Sequence, residues 1–430
     1  MRASLLSIVL CSGFAICAAV LLVTTAWGSD HQTVLYNFGN DMDGSGPGGG
    51  LIMDSGGNIY GVTAQGGFTS CLFGCGTAFE LSPKPGGGWT ETVLHNFGDG
   101  NDGILPVGGL VMDRRGNLFG VTTQGGLQGD GTVFELSPDG SGGWTETVLY
   151  SFQTNSNEAF PSGGMTMDTA GNLYGTALYG GSYGWGTVFE LSPSSGGNWT
   201  ETTLHSFGSG NDGASPLGGL IMDAAGNIYG TTYEGGDRSV FCGVGCGTAF
   251  ELSPGVSGWT ETVLHSFNGE DGSGLWAGLV MDAAGNLYGP APQGGDLTGQ
   301  NCAPFGCGTV YELSPDGGGG WTETTLHIFS GQPPDTGGPL VPLILDSAGN
   351  LYGAGEGDSV IPAVVFELSP RHGSWPETLL FTFTQENGPT SGLFMDRFGE
   401  LYGEASGGLY SGGIAYKLTP ASIRAASHAH

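Results

Sequence analysis

Apolar and polar residues alternate along this chain in short runs, and the runs return in a fixed order. A segment such as WTETVLYSF, residues 144–152, reads with a period of two, the pattern of a half-buried strand. Clusters of Gly, Pro, Asn, Asp and Ser bound each run, as turn chemistry requires. No run shows the 3.6-residue period of an amphipathic helix. One copy of the pattern, residues 109–152, holds four strand-like runs: 109–113, 117–123, 131–137 and 144–152. They are called strands a, b, c and d. Between a and b lies Asp113-Arg114-Arg115-Gly116-Asn117. Its Asp can cap a tight turn and its Gly can take a positive φ, so this is a hairpin signal.

The phrase Met-Asp-x-x-Gly-Asn-Leu-Tyr-Gly returns along the chain with small variations. Its Asp falls at Asp54, Asp113, Asp168, Asp223, Asp282, Asp346 and Asp396, at spacings of 59, 55, 55, 59, 64 and 50 residues. Seven four-stranded units at this period predict an all-β fold, a seven-bladed β-propeller. Gly-Gly pairs just before strand a suit the innermost strand, where backbones crowd near the axis. The ends of the pattern fit together. The run Thr33-Val34-Leu35-Tyr36-Asn37-Phe38 is a strand d with no a, b or c before it, and the seventh copy has a, b and c but no d after it. The N-terminal strand is therefore predicted to complete the last blade. That closure removes an open edge that would invite association, so a monomer is expected.

The repeat resembles that of the choice-of-anchor tandem repeat GloVer-containing proteins, the Gloeo/Verruco repeat. The matching residues are the Asp-x-x-Gly-Asn-Leu-Tyr-Gly-Thr-Thr core (Asp223 to Thr232), Gly-Thr-Val-Phe-Glu-Leu-Ser-Pro (Gly131 to Pro138) and Glu-Thr-Val-Leu-His-Ser-Phe (Glu261 to Phe267). The resemblance implies an exported bacterial repeat protein at the cell surface, with no established activity. The family name refers to sorting anchors. Here Pro420 is followed by ASIRAASHAH, with neither an apolar tail nor a basic stop, so residues 421–430 are expected to be a disordered tail and the protein to be released.

Composition narrows the class further. Glycine supplies 87 of 430 residues, without the triplet period of collagen. The 38% hydrophobic content, with 22 Phe, 14 Tyr and 9 Trp, suffices for a packed core over residues 29–420. Residues 1–28 read as a secretory signal peptide: Arg2, an apolar stretch, then Ala26-Trp27-Gly28 before a cut at Ser29. An uncleaved N-terminal anchor is the alternative, because the apolar run is long enough to span a bilayer. The net charge of −31 repels phosphate backbones and anionic lipid, so neither nucleic acid nor a membrane surface is an expected partner.

Six cysteines remain beyond residue 28: Cys71 with Cys75, Cys242 with Cys246, and Cys302 with Cys307. Each pair lies between strands b and c, and only in copies where that loop is lengthened. An even count in an exported chain favours disulfides. Metal binding by the thiolates is the alternative, opposed by the lack of a nearby His. Strand alternation places the b–c and d–a loops on one face of the disc, where propellers commonly bind ligands. Phe68, Phe73, Tyr183, Trp185, Phe241, Phe305 and Tyr410 lie in these loops and could stack on sugar rings, or simply pack their own loops. The d–a loops are acidic, and Asp41 with Asp43 is the best candidate pair for Ca²⁺, against the plainer reading of Asn-Asp-Gly as turn formers.

His95, His205, His265 and His327 share one strand d position with Tyr36, Tyr150 and Phe381, which reads as a packing slot rather than a base. The repeated Glu residues of strands c and d are structural by the same logic, because a ring of equivalent groups cannot all face one substrate. No nucleophile elbow, phosphate loop or zinc motif is present, so no catalytic residue is nominated and no cofactor is expected. The leading expectation is an exported, non-catalytic binding or scaffold protein with a glycan or protein ligand on the loop-rich face. A polysaccharide-acting hydrolase or lyase using unique carboxylates on that face, and a purely structural envelope component, are the alternatives.

Overall fold

The computed structural model describes residues 31–420, apart from 41, 69–70, 154–157, 238–241, 299–301, 303, 333–337, 356, 358–361 and 385–386. The expected signal peptide and C-terminal tail lie outside the described residues. Among these, all regular structure is β, arranged as seven four-stranded antiparallel blades in a ring.

Blade 2 shows the plan. Strand a (Gly103–Met112) pairs with b (Leu118–Gly125), b with c (Thr132–Pro138), and c with d (Trp144–Ser151). The a–b hairpin closes as the motif predicts. In blade 1, Asp54 Oδ1 accepts the backbone N–H of Gly56 at 2.8 Å and of Asn58 at 2.9 Å, and Oδ2 accepts the Asn58 side-chain amide and the Tyr60 hydroxyl. Burial alone would raise the Asp54 pKa, but these donors outweigh it and hold the carboxyl below its usual range.

The ring closes as expected. Strand His31–Asn37 lies antiparallel against the last strand c, Ile414–Thr419, from His31 opposite Thr419 to Asn37 opposite Ile414. Across the same seam, Gly50 N–H donates to Glu404 Oε2 at 3.0 Å and Thr390 Oγ1 donates to the Pro47 carbonyl at 2.6 Å.

The core sits between blades. The Phe that follows each strand d packs on the aromatic ring of the next blade's strand c. The pairs run from Phe38–Phe79 (4.8 Å between centroids) and Phe97–Phe134 (4.9 Å) through Phe267–Tyr311 (4.7 Å) to Phe383–Tyr416 (5.6 Å). Such pairs contribute about 0.5–1.5 kcal/mol each beyond the area they bury.

Every c–d pairing carries a bulge at the same place, as between Ala78 and Phe79 in blade 1. The bulge switches which side of the blade strand d presents. Ahead of it, Glu91 and Glu146 face the preceding blade; after it, His95 faces the following one.

Candidate functional site

The bulge brings three side chains together at the outer end of the blade seams. His95 Nε2 lies 2.8 Å from Asp102 Oδ2, and Glu146 of the next blade completes the group, its ligand atom within 4.8 Å of the others. The same trio recurs as His205, Asp212, Glu261 and as His265, Asp271, Glu323. The histidines do pack, as His95 does edge-on against Phe97 at 4.8 Å. They are also polar struts, which the packing-slot expectation omitted.

Each strut holds the d–a turn. Asp102 accepts the backbone N–H of Gly98 at 3.1 Å and of Gly103 at 2.6 Å. Where the seventh blade meets the first, Tyr36 replaces the histidine, and its hydroxyl donates to Asp43 Oδ2 at 2.7 Å. Asp43 also accepts Gly39 N–H at 3.0 Å. A phenol serving in the imidazole's place identifies the shared task as donating a hydrogen bond. Asp43, named above as a calcium candidate, does this turn work; its proposed partner Asp41 lies outside the described residues. The His–Asp–Glu groups have the donor types of a divalent-metal site, but their Asp oxygens already hold turn amides. Burial and then the nearby Asp102 push Glu146 up to about 7, and Glu91 and Glu261 rise to about 7 likewise beside Asp43 and Asp212.

The cysteines form Cys71–Cys75, Cys242–Cys246 and Cys302–Cys307 disulfides, which are consistent with an extracellular protein. The loop aromatics are spread around the rim. Phe73 stands 70% exposed on blade 1, and Phe68 is exposed beside it. Tyr183 and Trp185 flank Gly208 at blade 3, and Tyr410 is exposed on blade 7. Phe241 lies outside the described residues.

Phe305 does line a cleft. It faces a cavity of about 260 Å³ between the disulfide loops of blades 4 and 5, with Tyr233, Glu234, Val244, Ser273 and Gln293. Tyr233 follows strand b of blade 4 (Ile228–Thr232). Its ring stacks on Trp276 at 6.0 Å and 29°, and Trp276 Nε1 donates to the Leu340 carbonyl of blade 6 at 3.1 Å. Gly274 sits on the cleft floor at φ +70°, where a Cβ would press on Trp276 at 3.3 Å. Three other blades force Leu105, Phe160 and Ser215 into this left-handed conformation. Tyr233 and Trp276 are not among the loop aromatics named above, because they sit against strand ends: Tyr233 directly follows strand b, and Trp276 lies just ahead of strand a of blade 5 (Val280–Met281). Their signal was present in the repeat: Trp276 stands where other copies have Val107, Ser162 and Leu217, and Tyr233 where they have Ala64, Thr123 and Leu178.

Other cavities follow the repeat. The segments leading into strand a of all seven blades line an axial channel of about 480 Å³. On the opposite face, seam grooves form between one blade's Met-Asp turn and the next blade's strand d Trp, one of them about 750 Å³ beside Arg114 and Arg115. One carboxyl breaks the repeat inside the protein. Glu404, fully buried in strand b of blade 7 (Leu401–Ala405), stands where the other copies have Val62, Val121, Thr176, Thr231, Pro290 and Ala354. Burial pushes it up to about 7, against the hydrogen bond from Gly50.

No curated protein matches this chain. Among solved structures, a polysaccharide lyase, the PL25 ulvan lyase bound to -[GlcA(1-4)Rha3S]-, has a TM-score of 0.56 at 12% identity, covering 91% of this chain and 96% of its own. A protein from Lactobacillus plantarum has a TM-score of 0.52 at 15% identity, covering 84% and 94%. Both likenesses are of fold alone. The Gloeobacter/Verrucomicrobia repeat model matches three times, over residues 22–168, 141–301 and 242–429, and together with the seven copies of the motif these matches make the chain a member of that repeat family.

Proposed function

We propose that the protein is an exported, non-catalytic binding propeller whose ligand, a glycan or a protein, docks on the face made by the b–c and d–a loops. The observation that carries this reading is that the three lengthened loops are each pinned by a disulfide and that two of them, on blades 4 and 5, border an aromatic cleft. Rigid walls lower the ordering cost of binding.

A hydrolase reading needs two carboxylates across the bond to be cut. Glu234 is the one acid among the described residues lining the cleft. A lyase reading borrows from the ulvan lyase, whose named ligand contains glucuronate and sulfated rhamnose. A polyanion of that kind calls for Lys or Arg. The described cations Lys84, Arg114, Arg115, Arg371 and Arg397 lie in the a–b and c–d turns of the opposite face, and Lys417 pairs with Glu400 at 3.4 Å. Arg238, in the blade 4 loop, lies outside the described residues.

A screen of residues 29–430 against glycan and protein-ligand panels, with and without Ca²⁺, tests the reading. Saturable binding without turnover is the expected result. Release of new reducing ends or unsaturated products from a bound polysaccharide would make the protein an enzyme and overturn the proposal.

A further inference from the structure

We infer that the cleft between blades 4 and 5 is a subsite for one ring of an uncharged saccharide, with Tyr233 and Phe305 as its aromatic walls and Glu234 and Gln293 as its hydroxyl-binding groups. This rests on the reading of the loop-rich face as the ligand face, and it names the ligand class and the place.

The cleft is built rather than incidental. The blade 4 loop is clamped by Cys242–Cys246 and tied back to the short strand Glu234–Gly235 by Gly235 N–H to the Val244 carbonyl at 3.1 Å. The blade 5 loop is clamped by Cys302–Cys307 and tied back by Gly294 N–H to the Phe305 carbonyl at 2.7 Å. The two loops use the same device at equivalent places, one disulfide and one backbone hydrogen bond each. Gly245, at φ +92°, lies so close to Gly235 that any Cβ would strike its backbone, which leaves the blade 4 wall no room to shift inward.

The chemistry of the walls selects the ligand. Phe305 is 59% exposed, an apolar ring held open to water. Tyr233 opposes it from the blade, its orientation fixed by the Trp276 stack and by the Trp276 hydrogen bond to Leu340. Flat aromatic faces suit the C–H face of a pyranose, and a carboxylate and an amide suit its hydroxyls. A protein loop could use the aromatics too, but about 260 Å³ is below the ~300 Å³ at which clefts for drug-sized ligands begin, which matches a single ring. Charge sets the subclass. Glu234 lines the cleft, in a chain of net charge −31, so a uronate or sulfated ring would meet repulsion.

The test is titration calorimetry of residues 29–430, disulfides intact, with cellohexaose, xylohexaose, mannohexaose and tri-galacturonate as probes. A neutral hexasaccharide is expected to bind saturably and tri-galacturonate at least tenfold more weakly. Phe305→Ala and Glu234→Gln, both on the cleft surface, should each weaken binding at least tenfold with unchanged melting, while Phe73→Ala on the blade 1 loop should leave it unchanged. Tri-galacturonate binding as tightly as the neutral sugars would overturn the assigned ligand class. Binding that responds to Phe73→Ala and not to Phe305→Ala would overturn the assigned place. In both cases the loop-rich face would still be the ligand face. If no saccharide binds but a protein from the ligand panel does, the saccharide inference fails and the broader reading survives. If nothing binds at all, both fail.

Discussion

Removing Glu404, the one fully buried, non-repeated carboxyl among the described residues, should change how stability depends on pH. Glu404 has an ordinary pKa of 4.5, and in the closed ring burial pushes it up to about 7. Between those values the folded protein holds a proton that the unfolded chain has released. Stability therefore falls as pH rises through this window and levels off above it. A rise from 4.5 to about 7, at 1.36 kcal/mol per unit, is on the order of 3 kcal/mol lost by about pH 8.5. Glu404→Gln keeps the shape and an acceptor for Gly50 N–H but cannot ionise. It should match the wild type near pH 4 and exceed it by roughly 3 kcal/mol near pH 8.5. With an unfolding entropy of about 2.1 cal/mol/K per residue over ~390 residues, that is a gain of roughly 4 °C in melting temperature. Paired thermal and denaturant melts at the two pH values measure it. The half-buried Glu91, Glu146 and Glu261 titrate in the same direction, but they are common to both proteins and cancel in the difference. Parallel pH–stability curves for the two proteins would refute the reasoning.

Four further outcomes are expected. His95→Phe should cost about 1–2 kcal/mol by leaving Asp102 short of a donor, while His95→Tyr, copying Tyr36 over Asp43, should cost less; equal melting of the two variants would remove the strut. Replacing Cys71 and Cys75 together by Ser should cost only about 2 kcal/mol, the loop-entropy value for so small a ring, and a circular dichroism melt that instead shows loss of the fold would contradict a loop-shaping role. Deleting residues 31–37 should expose the edge of Ile414–Thr419 and give concentration-dependent association by light scattering. Gly230→Ala places a methyl 2.6 Å from Phe250 Cζ and should destabilise by about 1–3 kcal/mol, read by denaturant midpoint.

The architecture was legible because its signals are local and multiplied by seven. The hairpin Asp at Asp54 and its six equivalents, the orphan strand at residues 33–38 and the paired cysteines needed no knowledge of distant contacts. The His–Asp strut was not legible because it depends on a bulge, and a one-residue change of register alters which face His95 presents. The expectation of disulfides in lengthened loops holds, but Tyr233 and Trp276 sit against strand ends, where loop length carries no signal. Glu404 was hidden among 40 acids, and comparison of its slot across copies is what singles it out.

The closure by the N-terminal strand carries a consequence for how the chain finds its fold. Residues 31–37 must wait for a partner nearly 380 positions downstream, while six look-alike third strands emerge first. Contacts so remote in sequence form late, and a loose strand with several near-identical docking edges invites mispairing. Seam one differs from the other six in chemistry: Gln32 stands where most blades carry Glu, Lys417 where they carry Glu, and Glu404 reaches across to Gly50. These departures act as a password for the correct edge, so a chain carrying Gln32→Glu, Lys417→Glu and Glu404→Val, residues found at those slots in other copies, should refold in lower yield and accumulate partner-exchanged oligomers, even if its fully closed form were equally stable.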